Sequence, residues 1–208
     1  MIRRIFWYFA LVLVVILCAG IFYMYGVESS SVFLQLKKAA IRTGWYMPAF
    51  YCHVICSSII LIAGLFQFSK KVYNNRPLHK ALGKLYVFGV IFFAAPGAYV
   101  MTFYINRGPI VFGSFFIQNT LWILFTFYAW RLVMQGRIDE HIHYMRRSYA
   151  LAFAAVTLRL YIWLFTVLGH GVDFKYNYVI IAFASWVPNL IVAEIINYRS
   201  RSYTLNNA

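Results

Sequence analysis

The segments RPLHKALGKLYV (76–87) and EHIHYM (140–145) hold three of the chain's five histidines, each at the margin of a long apolar run. Neutral imidazole is a common ligand of haem iron and of zinc, and its pKa also suits proton transfer. Pro77 fits the first turn of a helix, so His79 falls at the start of the third apolar run. Asp139 reads as the N-cap of the fifth helix, which places His141 and His143 in its first turn. Two residues apart on one helix, they point about 160° away from each other, so at most one can face His79. His79, His141 and His143, with the acids Asp139 and Glu140, are therefore expected on one membrane rim. There His79 and His141 would hold a b-type haem, or the three histidines a transition metal. His53 lies deep inside the second run, at nearly the depth of Gln118 in the fourth. It reads as a satisfied interior histidine, or as the ligand of a separate site together with His170.

Polar residues inside apolar runs form a second group, because each must be paired or hydrated there. Arg159 stands about 18 Å along its helix from Arg147, close to mid-bilayer. Pro188 interrupts the last helix near Trp186 and frees backbone carbonyls. Asn189 is expected near the depth of Arg159, and Glu194 a turn and a half away. Arg159, Asn189 and Glu194 thus read either as a clamp between the fifth and sixth helices or as the lining of a midplane site. Gln118 and Gln67 complete the buried polar set. Cys18, Cys52 and Cys56 all fall inside apolar runs and define no disulfide framework. They read as small residues buried between helices, as do Ala150, Ala152, Ala154 and Ala155.

The elements that must carry these residues are set by composition. Of the 208 residues 63% are hydrophobic and 21% aromatic, against roughly 45–50% apolar in soluble domains. The chain reads as an all-α integral membrane bundle, one transmembrane domain over 1–208. Apolar runs at about 5–25, 46–68, 81–104, 110–133, 147–168 and 177–197 are each long enough for one crossing. The first begins as a signal peptide would, but it is long enough to span and reads as a retained helix. Thirteen basic residues fall on one side of these six crossings and five on the other, with Arg159 inside. Both termini are therefore expected in the cytoplasm, and the +14 formal charge reflects this bias rather than nucleic-acid binding. Segment 30–43, SSVFLQLKKAAIRT, has one apolar helical face and suits an interfacial helix. G-x-G-x-x-G, P-loop, C-x-x-C, H-E-x-x-H and G-x-S-x-G signatures are all missing, so nucleotide binding, zinc hydrolysis and serine hydrolysis have no motif here.

Several segments stand together in a familiar order: GLFQF at 64–68, RPLHKALGKLYV at 76–87, EHIHYMRRSYAL through VTLRL to 160, and WVPNL at 186–190. As a set they resemble the bacterial multi-pass membrane proteins of domain-of-unknown-function family 2306, from about residue 45 to the C-terminus. The family pattern matches His53, Gln67, His79, Gly83, Tyr86, Trp122, His141, Met145, Arg159 and Asn189. It implies a membrane protein of six or seven helices and favours His141 over His143. Tyr144 departs from the tryptophan that commonly precedes Met145. The resemblance brings no established activity.

Three functions follow as expectations: a histidine-ligated haem b or metal site for electron transfer, a small-molecule or proton-coupled transporter built on Arg159, Asn189 and Glu194, or a non-catalytic accessory subunit. Whether the chain is an enzyme is left open by the sequence. The lipid bilayer of a bacterial cytoplasmic (inner) membrane is the expected surrounding, with a protein partner or a second copy as further company.

Overall fold

Lipid offers a backbone no hydrogen-bond partner, so an apolar run of about twenty residues must pair its own peptide groups as a helix. The computed structural model describes residues 2–23, 37–169 and 176–206, and its long segments are all helical. Five helices among the described residues are long and apolar enough to cross a membrane: Tyr46–Gln67, Arg76–Phe103, Pro109–Met134, Ile138–Val167 and Asn177–Ser200. The run expected as a first crossing over 5–25 is helix α1 (Ile2–Phe22), whose apolar part, Trp7–Phe22, is shorter than those five. The interfacial helix expected over 30–43 lies outside the described residues up to position 36. Its described end is a single turn, α2 (Lys38–Ile41). The chain divides into two compact units, Met1–Tyr104 and Ile105–Ala208.

In the first unit, α3 (Tyr46–Gln67) is the central helix. Trp7 Nε1 of α1 donates to the Leu65 carbonyl at 3.3 Å, and Tyr46, Phe50 and Val54 form a core with Ala40. After the short α4 (Lys70–Asn74), Asn75 caps α5 (Arg76–Gly89) by accepting from Leu78 N at 3.2 Å, with Pro77 in the first turn. The crossing then passes through a π-helical segment, Val90–Ala94, before resuming as α6 (Ala95–Phe103). Pro96 has no N–H to give and cannot continue a regular ladder; the π turn takes up one extra residue at that point.

That extra residue decides which face meets α3. Gly89 and Gly97 are eight residues apart, which at about 100° per residue would set them about 80° apart in a regular helix. With one residue absorbed by the π turn the separation falls to about 20°, and both glycines meet α3. A Cβ at Gly89 would lie 2.9 Å from the Ile60 side chain, and one at Gly97 would lie 2.6 Å from the Ala49 carbonyl oxygen. Small residues here let the backbones approach closely, as is usual between membrane helices.

In the second unit, α7 (Pro109–Met134) and α8 (Ile138–Val167) are joined by a tight turn. Gly136 N donates to Val133 O at 3.1 Å, Arg137 N donates to Leu132 O at 3.0 Å, and Gly136 has φ of +75°. This is a Schellman ending, which needs a left-handed residue one position beyond the helix cap. The turn starts α8 early: its N-cap is Arg137, and Asp139 lies inside the first turn rather than at the cap the sequence suggested. Gly136→Ala is expected to lower stability by about 1 kcal/mol through the left-handed penalty. Gly113→Ala, mid-helix with nothing within 4 Å of a new Cβ, should raise it by a similar amount. Melting temperatures in detergent would show the opposite signs.

The last crossing is broken, as Pro188 predicts. Helix α9 (Asn177–Ala184) stops, Ser185 and Trp186 form a turn, and α10 (Val187–Asn206) follows.

Candidate functional site

His141 lies in the first turns of α8, opposite the end of α7. Its Nδ1 lies 2.8 Å from the Ala129 carbonyl oxygen. A carbonyl only accepts, so this bond fixes the proton on Nδ1 and leaves the Nε2 lone pair available for coordination. Ligating histidines are commonly oriented this way, with the second ring nitrogen tied to a backbone carbonyl.

His143, two residues on, is buried at 6% exposure. Its backbone carbonyl accepts from Asn197 Nδ2 at 3.2 Å, and Arg146 Nη1 donates to Asn197 Oδ1 at 3.2 Å. The two histidines therefore differ in setting: His143 sits in a packed seam, while His141 holds a partly open ring in one tautomer.

The first unit holds His53 and His79. His53 Nδ1 lies 2.7 Å from the Ala94 carbonyl oxygen, and Cys52 Sγ donates to Phe93 O at 3.7 Å. Both carbonyls belong to the π segment, so the disturbed ladder before Pro96 is met by side chains of α3. His79 packs edge-on against Tyr73 with ring centroids 5.7 Å apart. Gln67 Nε2 donates to the His79 carbonyl at 3.4 Å, and a Cβ at Gly83 would lie 3.1 Å from the same nitrogen. The glycine is thus what admits the Gln67 amide. The three cysteines are only half-buried; Cys18 Sγ contacts the Ser58 carbonyl at 3.9 Å. Among the described residues no group of three or more His, Cys, Asp or Glu side chains is gathered as metal ligands would be. His170 lies outside the described residues.

The group expected to share the midplane separates into two settings. Glu194 pairs in a fork with Arg147, through Nε to Oε1 and Nη2 to Oε2, the latter at 2.8 Å. Arg147 also lies over the Tyr144 ring, 4.8 Å from its centroid. Arg159 is twelve residues further along α8, about 18 Å away, which is beyond the reach of its side chain to a carboxylate engaged at Arg147. Arg159 instead donates from Nη1 to Ala155 O at 3.0 Å and interacts electrostatically with Tyr178. Tyr178 in turn carries Arg107 over its ring at 4.2 Å, and burial pulls the Arg107 guanidinium below its ordinary pKa. A cavity of about 260 Å³ opens beside Arg107, between Gly108–Ile110 and Tyr176.

Asn189 does the work expected of the broken helix. Its Nδ2 donates to Ser185 O at 3.0 Å, Thr157 Oγ1 at 3.1 Å and Ala150 O at 3.3 Å, while Thr157 also donates to the freed Ser185 carbonyl. Gln118 reaches Leu151 O at 3.4 Å.

Sequence reasoning missed two bonds of this polar seam. Trp186 Nε1 donates to Ser114 Oγ at 3.0 Å, and Thr126 Oγ1 bonds Ser148 Oγ at 2.7 Å. All three hydroxyl residues are fully buried. A hydroxyl residue in an apolar run can bond its own helix, as Thr126 does to Trp122 O, so sequence gives little hint of a partner on another.

Among known families, the model described as "Predicted membrane protein (DUF2306)" matches residues 50–197. No curated protein and no solved structure matches the chain.

Proposed function

Because that match takes in every element from α3 to the middle of α10, the chain belongs to domain-of-unknown-function family 2306, and on that premise we propose a multi-pass membrane electron-transfer protein in which His141 is a ligand of a b-type haem or a transition metal. The observation that carries this reading is the His141 Nδ1 bond to the Ala129 carbonyl, which presents Nε2 as a lone pair. His53, held in the same manner by Ala94, is proposed as the ligand of a separate site, and His79 as a further candidate ligand. A bound haem would supply one-electron chemistry at the iron. The chain's part is to hold the imidazole ring and its tautomer and to keep the site apolar.

The proposal further places the protein in a bacterial cytoplasmic membrane, with α1 as a sixth crossing. Both termini lie in the cytoplasm in this reading, from the bias of basic residues between the two sides. His141 then stands at the cytoplasmic margin.

Visible spectra of detergent-purified protein, oxidised and dithionite-reduced, with metal analysis on the same sample, test the reading. A Soret band with sharp reduced α and β bands is expected. It should be lost in His141→Ala and kept in His143→Ala, and parallel His79→Ala and His53→Ala variants would identify further ligands. A featureless, metal-free spectrum after expression with ample haem would sink it. The accessory-subunit reading would then stand, favoured by the way Asn189, Thr157, Trp186 and Glu194 are all used to join helices.

A further inference from the structure

The turn between α7 and α8 carries a second feature, independent of any haem. Tyr128, Arg131, Leu132, Gln135 and Arg137 line a cavity of about 200 Å³. The Schellman turn builds it, because Gly136 folds Gln135 and Arg137 back over the last turn of α7. Leu132, 7% exposed, gives it a buried apolar wall, and the Tyr128 ring is fixed against Tyr144 with centroids 5.7 Å apart.

The polar lining is dominated by donors. The Tyr128 hydroxyl, the Arg131 guanidinium and the Gln135 side-chain amide belong to its lining. Arg137 spends Nε and Nη2 on Glu140, each at 2.6 Å, and keeps Nη1. With Arg137 balanced by Glu140, the cavity keeps about one positive charge, that of Arg131. Pockets for drug-sized ligands begin near ~300 Å³, so this one suits a small group.

Depth fixes the surroundings. Arg131 is three residues from the end of a membrane-crossing helix, and Trp130 and Tyr128 beside it are exposed at 39% and 42%. Trp and Tyr mark the headgroup level of a bilayer. An arginine fork and a phenol converging there match phosphate oxygens, which accept several bonds at once. We propose that this cavity binds a phosphate group, as in the phosphodiester of an anionic phospholipid or a free phosphate ester, with Arg131 and Tyr128 as its principal donors.

The full chain in nanodiscs of phosphatidylcholine, with and without phosphatidylglycerol, tests the proposal by native mass spectrometry of retained lipid. A parallel titration with glycerol 3-phosphate in detergent distinguishes a lipid source from a soluble one. Retention of phosphatidylglycerol, or saturable binding of glycerol 3-phosphate, is expected to weaken about tenfold in Arg131→Gln. Tyr128→Phe should weaken it several-fold, and Lys84→Gln should leave it unchanged. An arginine that serves only the helix C-terminus would shift the melting temperature and not the retained lipid. If neither anion binds, or if binding is the same in Arg131→Gln and Tyr128→Phe as in the unaltered chain, the proposal is overturned.

Discussion

Gly97→Leu is expected to abolish production of monodisperse protein, and Gly97→Ala to lower the melting temperature by several degrees. The cause is local and backbone-bound. A Cβ at Gly97 would lie 2.6 Å from the Ala49 carbonyl oxygen and 2.9 Å from His53 Cβ, and neither atom is the far end of a flexible chain. Relief requires α6 to move off α3, which weakens the His53 bond to Ala94 as well. Overpacking of a tight interface costs about 1–3 kcal/mol for one added methyl-sized group, and leucine adds three more carbons in the same gap. Gly20→Ala meets nothing within 4 Å and serves as the control. Size-exclusion profiles and melting curves of the three variants decide it: a Gly97→Leu protein that runs and melts like the unaltered chain would show that α3 and α6 are not packed as described.

Glu194→Lys should be strongly destabilising in the second unit. Arg147 is only 16% exposed, and its fork is fully met by the Glu194 carboxylate. Reversal sets two cations face to face. At about 4 Å and an effective dielectric of 20 such a pair repels by about 4 kcal/mol. Because Glu194 is 47% exposed, relaxation and screening reduce this, and about 2 kcal/mol is the expected loss. Arg147→Glu alone should cost a similar amount. The double variant Arg147→Glu/Glu194→Lys should recover more than half of the summed loss. Additive losses in that cycle would mean the pair contributes nothing as a pair.

Much of the fold was legible because lipid leaves few choices. Spans show as long apolar runs, and Pro77 and Pro188 mark a helix start and a helix break by what a proline cannot donate. Pro96 marks an interruption too, but its form was not readable. Whether a proline produces a kink, a break or a π turn depends on the neighbouring helix, here on α3 offering Cys52 and His53 to the carbonyls of Phe93 and Ala94. The early start of α8 was missed for a related reason. Asp139 is the better cap by residue type, yet Gly136 closes the previous helix so sharply that α8 begins before it.

The candidate site was legible in its residues and less so in its pairings. The contrast between His141 and His143 follows from helical geometry and from the family pattern, and the two do sit in different settings. Arg159 and Glu194 were grouped by their cost in a membrane, which says that each needs a partner and not which one. Glu194 found Arg147 on α8 and Arg159 bonds the Ala155 carbonyl of its own helix, because side-chain reach is short beside the 1.5 Å rise of each intervening residue.

The π turn also has a meaning in the gene. It stores one codon that a regular helix would not need, and removing any one of residues 90–94 would leave an unbroken apolar segment. The shortened crossing would press the Pro96 ring against the carbonyl one turn before it, as a proline does inside a regular helix. Gly89 and Gly97 would then stand seven residues apart, about 20° in a regular helix, so both would still meet α3. A three-base deletion there would keep the packed face and give up the carbonyls that the π turn offers to Cys52 and His53.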